Sequence, residues 1–145
     1  MATPYEDIYE RALFKVKDLK LASMEESSRR FTLKQYLNSA VADFSTKCSK
    51  DLDDRDEATE EFAEDLSNDE KEILALGMAY HWLSAQVMDR TLLKNKISTK
   101  DYRYFSPANL MREINTMRED VRKDYKHRVI EYTYDHGDLA MGGNS

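Results

Sequence analysis

The spacing of apolar residues along the chain predicts four long helices. Apolar positions recur at steps of three and four in four separate stretches, which places them on one face of an α-helix. The predicted helices cover residues 4–18, 29–48, 67–90 and 107–129. Only four glycines and two prolines occur, and three of the glycines lie at or after Gly137, so few residues interrupt the body of the chain. The sequence therefore predicts an all-α fold, a single-domain bundle of about four helices.

Short polar motifs mark where three of these helices should begin. In a capping box, a Ser or Thr hydroxyl caps the helix and a Glu three residues later bonds back to it. Thr3 with Glu6, and Ser67 with Glu70, have this spacing. Proline suits the first position of a helix, which adds Pro4 to the first motif and predicts the last helix start at Ser106 and Pro107. The motifs thus agree with the helices predicted from periodicity.

The third predicted helix is apolar on all sides. In a soluble protein such a helix is the central one, covered by its neighbours. Gly77 in its middle costs ~1 kcal/mol relative to Ala, which a close crossing with another helix would explain. The apolar residues of this helix are Ile73, Leu74, Leu76, Met78, Tyr80, Trp82, Leu83, Val87 and Met88.

The chain ends in a helix with one apolar stripe, followed by a segment that alternates aromatic and polar residues. Alternation of this kind favours an extended conformation. We therefore expect a helical domain over residues 1–129 and an extended C-terminal arm over residues 130–145, which would bind a partner. The stripe consists of Leu110, Ile114, Met117, Val121, Tyr125 and Val129. The candidate partner-binding residues of the arm are Ile130, Tyr132, Tyr134, Asp135, Gly137, Asp138 and Leu139.

Charge is spread along the chain except between residues 49 and 65. The net charge is −6 and bases are interleaved with acids, so the sequence has no basic patch of the kind that binds nucleic acid tightly. Residues 49–65 are strongly acidic and predict a solvated connection anchored by Leu52, Phe62 and Leu66, with a short helical or extended piece near residues 60–66. The stretch does not match the calcium-binding loop of an EF-hand, because Asp56 occupies the position at which that loop requires glycine. A weak, non-specific cation site stays open.

Residues with catalytic or metal-binding potential are not grouped in any known motif. His81, His127 and His136 are not spaced for a shared metal, and no glycine-rich phosphate loop is present. We expect His81 to be a satisfied core residue, His136 a turn residue and Cys48 a small buried hydrophobe on a helix face. The sequence predicts a protein that is not an enzyme and has no cofactor and no metal.

Targeting to a membrane is not expected either. The first residues have neither a basic region nor an apolar core, so no signal peptide is predicted. The longest uncharged run covers residues 73–88, which is shorter than the ~20 residues that a membrane span needs.

Several stretches, taken together and in order, resemble one family of proteins. They span most of the chain and include Asn38-Ser39-Ala40, His81-Trp82-Leu83 and Ser106-Pro107-Ala108. The family is the head–tail connector, or adaptor, proteins of tailed bacteriophages with long, non-contractile tails. The stretches that carry the resemblance are residues 36–40, 43–44, 48–56, 65–66, 72–78, 81–84, 98–101, 105–110 and 132–134.

This resemblance implies a structural protein of the virion neck, assembled in the host cytoplasm. A ring of such subunits, usually twelve, docks beneath the portal protein and receives a stopper or tail-completion protein on its other side. The arm, here residues 130–139, would reach the portal or a neighbouring subunit. Viral DNA would pass through the ring without specific binding, because acidic walls repel phosphates.

Two alternatives come from other classes of protein. One is a small helical regulatory protein that binds its partner through the same C-terminal segment. The other is a metal-dependent helical enzyme that uses the acidic stretch.

Overall fold

The computed structural model describes residues 2–16, 25–93 and 107–137, and this part of the chain is mostly helical. It contains four α-helices: α1 (Tyr5–Val16), α2 (Glu26–Phe44), α3 (Asn68–Leu93) and α4 (Pro107–Tyr132). Three strands of two residues each accompany them: β1 (Thr3–Pro4), β2 (Arg55–Asp56) and β3 (Glu61–Phe62). The prediction of an all-α bundle of about four helices is confirmed, with the addition of a small sheet that the sequence pattern did not predict.

Helix α3 is the centre of the bundle. It packs against α1, α2 and α4, and its residues from Ile73 to Ala79 are buried without interruption. A helix in this position has no solvent-facing side over its middle turns, which is why apolar residues surround it. The prediction that it is the central helix is confirmed.

Gly77 lies where α2, α3 and α4 come closest. A Cβ atom added to Gly77 would stand 2.9 Å from the Cβ of Ala40 and 3.5 Å from a ring carbon of Tyr125. The first distance is shorter than the contacts that Cβ atoms make in proteins, so only glycine fits at this position without a shift of α2. The predicted close crossing is confirmed.

The acidic segment between α2 and α3 forms a hairpin that is fixed to the bundle. Strand β3 pairs antiparallel with both β1 and β2, so that Phe62 is opposite Thr3 on one side and Arg55 on the other. Leu52, Phe62 and Leu66 are buried, as predicted for the anchors of this segment. The segment is therefore a packed part of the domain whose acidic side chains lie mostly at its surface.

One predicted capping box is present and the other is wrong. At the start of α3, the N–H of Ser67 donates to Glu70 Oε1 at 2.7 Å and the N–H of Glu70 donates to Ser67 Oγ at 3.2 Å. At the start of α1, Thr3 is a strand residue instead of a cap. Its hydroxyl donates to the carbonyl of Glu64 and accepts from the N–H of Leu66. Pairing with β3 holds Thr3 and Pro4 extended, so α1 begins at Tyr5.

Helix α2 ends earlier than predicted. It ends at Phe44, and Cys48 follows a turn in which its N–H donates to the carbonyl of Phe44 at 3.0 Å. Cys48 is half-buried and packs against the main core. Its place is thus beside the core, as expected, but in a loop and not on a helix face.

The end of the chain differs most from the prediction. The prediction of an extended arm from residue 130 onward is wrong for residues 130–137. Helix α4 continues through Tyr132 and passes into a π-helical turn, Thr133–Gly137. The helix crosses the predicted domain boundary between residues 129 and 130 without a break. Asp138 and Leu139 lie outside the described residues.

Within residues 2–16, 25–93 and 107–137, no helix is both long enough and apolar enough to cross a bilayer.

Candidate interaction surface at the end of the last helix

A buried carboxylate, Glu70, holds the end of α4 to the rest of the domain. Glu70 is only 1% exposed. Its Oε1 accepts hydrogen bonds from the N–H of Ser67 at 2.7 Å and from Lys50 Nζ at 3.0 Å. Its Oε2 accepts one from the hydroxyl of Tyr132 at 2.6 Å. A buried charge persists only when it is paired and hydrogen-bonded in this way.

Tyr132 is the last residue of α4 and the second member of this cluster. It is 2% exposed, and its ring contacts the ring of Phe44 edge-on at a centroid distance of 5.2 Å. Its oxygen accepts a hydrogen bond from the N–H of Ser49 at 2.8 Å while it donates to Glu70. The tyrosine therefore ties α4 to the loop after α2 and to the first turn of α3. We call Lys50, Ser67, Glu70 and Tyr132, with Ser49, the Glu70 cluster.

The hydrogen bonds of the Glu70 cluster decide its charge. Burial acts to raise the pKa of Glu70, but bonds from Tyr132, the Ser67 N–H and Lys50 outweigh it and lower the pKa to about 2. Burial and the bond to Glu70 both raise the pKa of Tyr132. Burial also raises the pKa of Cys48, whose sulfur is 3.7 Å from Glu70 Oε2. The Glu70 cluster thus contains an ionised carboxylate and a neutral phenol, and the neutral thiol of Cys48 lies beside it.

The residues on either side of Tyr132 point outward. Ile130 is 65% exposed and Tyr134 is 72% exposed, and Asp135 is exposed beside Tyr134. The predicted partner-binding residues are therefore divided by the structure. Ile130, Tyr134 and Asp135 are accessible, Gly137 ends the π-helical turn, and Tyr132 is buried in the domain's own core. The prediction that Tyr132 is an accessible arm residue is wrong.

A groove of about 490 Å³ runs beside this helix end. Helices α2, α3 and α4 contribute to its walls, and Gly77 lies among its lining residues. Ile130 is the lining residue that is nearest in sequence to the C-terminal turn. Two tyrosines, one from α3 and one from α4, supply aromatic surface. The lining residues are Asp43, Lys47, Gly77, Tyr80, Arg122, Tyr125, Lys126, Val129 and Ile130.

The charged groups of the groove are unequally paired. Arg122 is 3.2 Å from Glu119, and Asp43 Oδ2 is 2.5 Å from His81 Nε2. The side chains of Lys47 and Lys126 make no hydrogen bond or ion pair with another described residue. The groove therefore carries two available positive charges on a chain whose net charge is negative.

The contact with Asp43 also bears on the prediction for His81. The histidine has a partner, as expected, but its side chain is 30% exposed and lies at the edge of the bundle. The ionisation of Tyr125 in the groove is also affected by its surroundings. Burial, with the Asp43 carboxylate nearby, raises the pKa of Tyr125 to about 12.

Sequence reasoning missed the groove. Gly77 was a usable signal, because a glycine that lets two helices approach also leaves a depression beside it. Lys47, from the turn after α2, and Lys126, from α4, both line the groove, and no such signal predicted this because it depends on how the helices pack.

Within the described residues, no three His, Cys, Asp or Glu side chains are grouped so that they could hold a metal ion. No family model, no curated protein and no solved structure matches the chain.

The arrangement that stands out is an anchored helix end with exposed apolar residues and, beside it, a partly aromatic groove with basic side chains. Aromatic residues and arginine are enriched in protein–protein interfaces, and the groove contains both.

Proposed function

We propose that this protein is a structural subunit of a phage neck, which forms a ring adaptor between the portal protein and the stopper or tail-completion protein. The observation that carries the proposal is the end of α4. Tyr132 fixes it to the domain, while Ile130 and Tyr134 stay exposed on either side. The ordered resemblance to phage head–tail connectors supplies the class of assembly, and the helix end supplies a surface by which such a subunit makes contact.

The exposed apolar residues are suited to binding because the backbone that carries them is already ordered. An interface residue that is fixed before binding loses less conformational entropy when the partner arrives. Aromatic residues at the centre of an interface commonly contribute most of its binding energy. Tyr134 is an exposed aromatic residue of this kind, and it follows the anchored Tyr132 by two residues.

Charge agrees with passage of DNA through such a ring. The net charge is −6, and the hairpin between α2 and α3 exposes several carboxylates, among them Asp53, Asp54 and Asp56. Negative surfaces repel phosphates and keep DNA from adhering. In this proposal viral DNA crosses the ring without specific binding.

The test uses two shortened chains and the portal protein encoded in the same genome. A chain that ends at Tyr132 keeps the Glu70 cluster and loses Tyr134, whereas a chain that ends at Glu131 loses both. We expect the full chain to add a layer to portal rings seen by electron microscopy. The chain that ends at Tyr132 should fold equally well and fail to add it.

The controls separate folding from docking. Circular dichroism and urea unfolding report whether each shortened chain is folded, so a lost layer can be assigned to lost contacts. If the full-length, folded chain leaves portal rings unchanged, the adaptor proposal is wrong. Binding of a different single partner by the full chain, with the portal ignored, would favour the helical regulator.

A further inference from the structure

We propose that the groove between α2, α3 and α4 receives the exposed pair Tyr134 and Asp135 of a second copy of this chain. The inference rests on the proposed function, because it names the contact by which neighbouring subunits of the ring would join. It follows from the lining of the groove, from its unpaired charges and from the position of the chain's own C-terminal turn.

The lining of the groove suits an aromatic side chain. Tyr80 and Tyr125 contribute ring surface, and Val129 contributes aliphatic surface. Aromatic pairs prefer offset or edge-to-face contacts and gain ~0.5–1.5 kcal/mol beyond the burial of their area. Among the described residues, Tyr134 is the most exposed tyrosine, at 72%. Its ring is available for contacts of this kind, and it is followed directly by an exposed carboxylate, Asp135.

The charges of the two surfaces are complementary. The side chains of Lys47 and Lys126 beside the groove have no partner among the described residues, whereas Asp43 is paired with His81 and Arg122 with Glu119. Asp135 follows Tyr134 directly and is exposed. A tyrosine placed in the groove would thus bring a carboxylate towards the lysines, where an opposite charge is favourable.

The same chain cannot supply this occupant in the conformation observed. Ile130 lines the groove, and Tyr134 follows it by four residues, in the π-helical turn after α4. Neither Tyr134 nor Asp135 belongs to the lining of the chain's own groove. Only another copy can bring them there.

A projecting residue and a groove at different places on one chain can join subunits in two ways. Head-to-tail contacts close into a ring, whereas reciprocal contacts give a two-fold dimer. Both arrangements satisfy the contact proposed here, and only the ring agrees with the proposed function. The size of the assembly therefore tests the proposed function separately from the contact.

The experiment measures self-association of the full-length chain by sedimentation velocity and native mass spectrometry over a range of protein concentrations. We expect self-association that Tyr134→Ser weakens about tenfold or more. Lys126→Glu should weaken it as well, and combining Lys126→Glu with Asp135→Lys should restore it. Lys123→Glu makes the same charge change on an exposed residue of α4 outside the groove and should have little effect.

Three results would overturn the inference. The first is a chain that stays monomeric at every concentration. The second is self-association that Tyr134→Ser and Lys126→Glu leave unchanged, and the third is a double variant that is not restored. If these variants instead lose only the portal-bound layer, the groove binds the portal, so this inference fails while the adaptor proposal stands.

Discussion

The Glu70 cluster and the groove lie on either side of the same helix end, and they differ in how far their polar groups are satisfied. Glu70 is buried and accepts hydrogen bonds on both oxygens. The groove is open, and Lys47 and Lys126 have no partner within the described chain. The hydrogen-bonded cluster holds α4 to the domain, whereas the unpaired charges beside aromatic surface are available to another molecule. The last turns of α4 therefore have a structural side at the Glu70 cluster and an open side at the groove, which we propose binds a second copy.

Replacing Glu70 should have the largest effect on the structural side. Glu70→Ala leaves the Tyr132 hydroxyl and the Ser67 N–H without their acceptor in a buried place, and it leaves Lys50 without its counter-charge. We expect a loss of about 3 kcal/mol in the free energy of unfolding. Urea unfolding measures it. Glu119→Ala, beside the groove, should change it by less than about 0.5 kcal/mol, and equal losses would remove the distinction between the two regions.

A lower pH should reduce the stability of the folded protein, because it protonates the same carboxylate, Glu70. The pKa of Glu70 is lowered from 4.5 to about 2 in the folded protein. Its stabilising contribution is therefore complete above pH 5 and is lost as the pH falls towards 2. The pKa values of Glu57 and Glu72 are also lowered and act in the same direction.

The acid effect is measured by urea unfolding between pH 7 and pH 2. The Glu70→Gln variant starts from a lower stability and should lose less of it over this interval. A variant that loses as much as the parent would show that the other carboxylates cause the acid dependence.

Overpacking the crossing at Gly77 should have an intermediate effect. Gly77→Leu forces atoms against Ala40, where even a single Cβ would come within 2.9 Å. We expect a loss of ~1–3 kcal/mol, visible as a lower melting temperature. As a control, Ala40→Gly combined with Gly77→Ala removes the clash, and the two changes should be coupled favourably in a double-mutant cycle. An unchanged melting temperature for Gly77→Leu would mean that the helices do not meet tightly there.

The smallest effects come from removing single hydroxyls at the helix end. Tyr132→Phe deletes the donor to Glu70 and should cost about 1–2 kcal/mol. Tyr134→Phe deletes an exposed hydroxyl and should leave the unfolding free energy within about 0.5 kcal/mol of the parent. The pair is matched in chemistry and lies two residues apart, so a difference between them reports the hydrogen bonds of the buried Tyr132 hydroxyl with Glu70 and Ser49. Equal effects would contradict the division of this segment.

Most of the fold could be predicted because the helices depend on local pattern. The central position of α3 follows from apolar residues on all its sides, and the crossing at Gly77 follows from one costly glycine. The Ser67 and Glu70 box was also predictable, since both partners lie within one turn. The predictions that were wrong concern residues whose contacts are distant in the sequence. Thr3 has the same local motif, but its hydroxyl is engaged by Glu64 and Leu66 across the sheet.

The site at the helix end was predicted only in part for the same reason. The alternation of Tyr132 and Tyr134 with polar residues suggested an extended strand, and it marked this segment as unusual. The helix continues because the hydroxyl of Tyr132 donates a hydrogen bond to Glu70, which is 62 residues away in the sequence. Such a contact is invisible to local periodicity. Ile130 and Tyr134, which the sequence indicated as candidate partner-binding residues, are exposed. The groove can be recognised only once the helices are packed.

The central claim is that the end of α4 assembles this protein onto a portal through the residues beyond Tyr132. Electron microscopy of portal rings mixed with the full chain and, in parallel, with the chain that ends at Tyr132 tests it most directly. The account predicts an added ring layer with a central channel for the full chain and bare portal rings for the shortened, folded one. Bare portal rings in both mixtures, or an added layer in both, would contradict it.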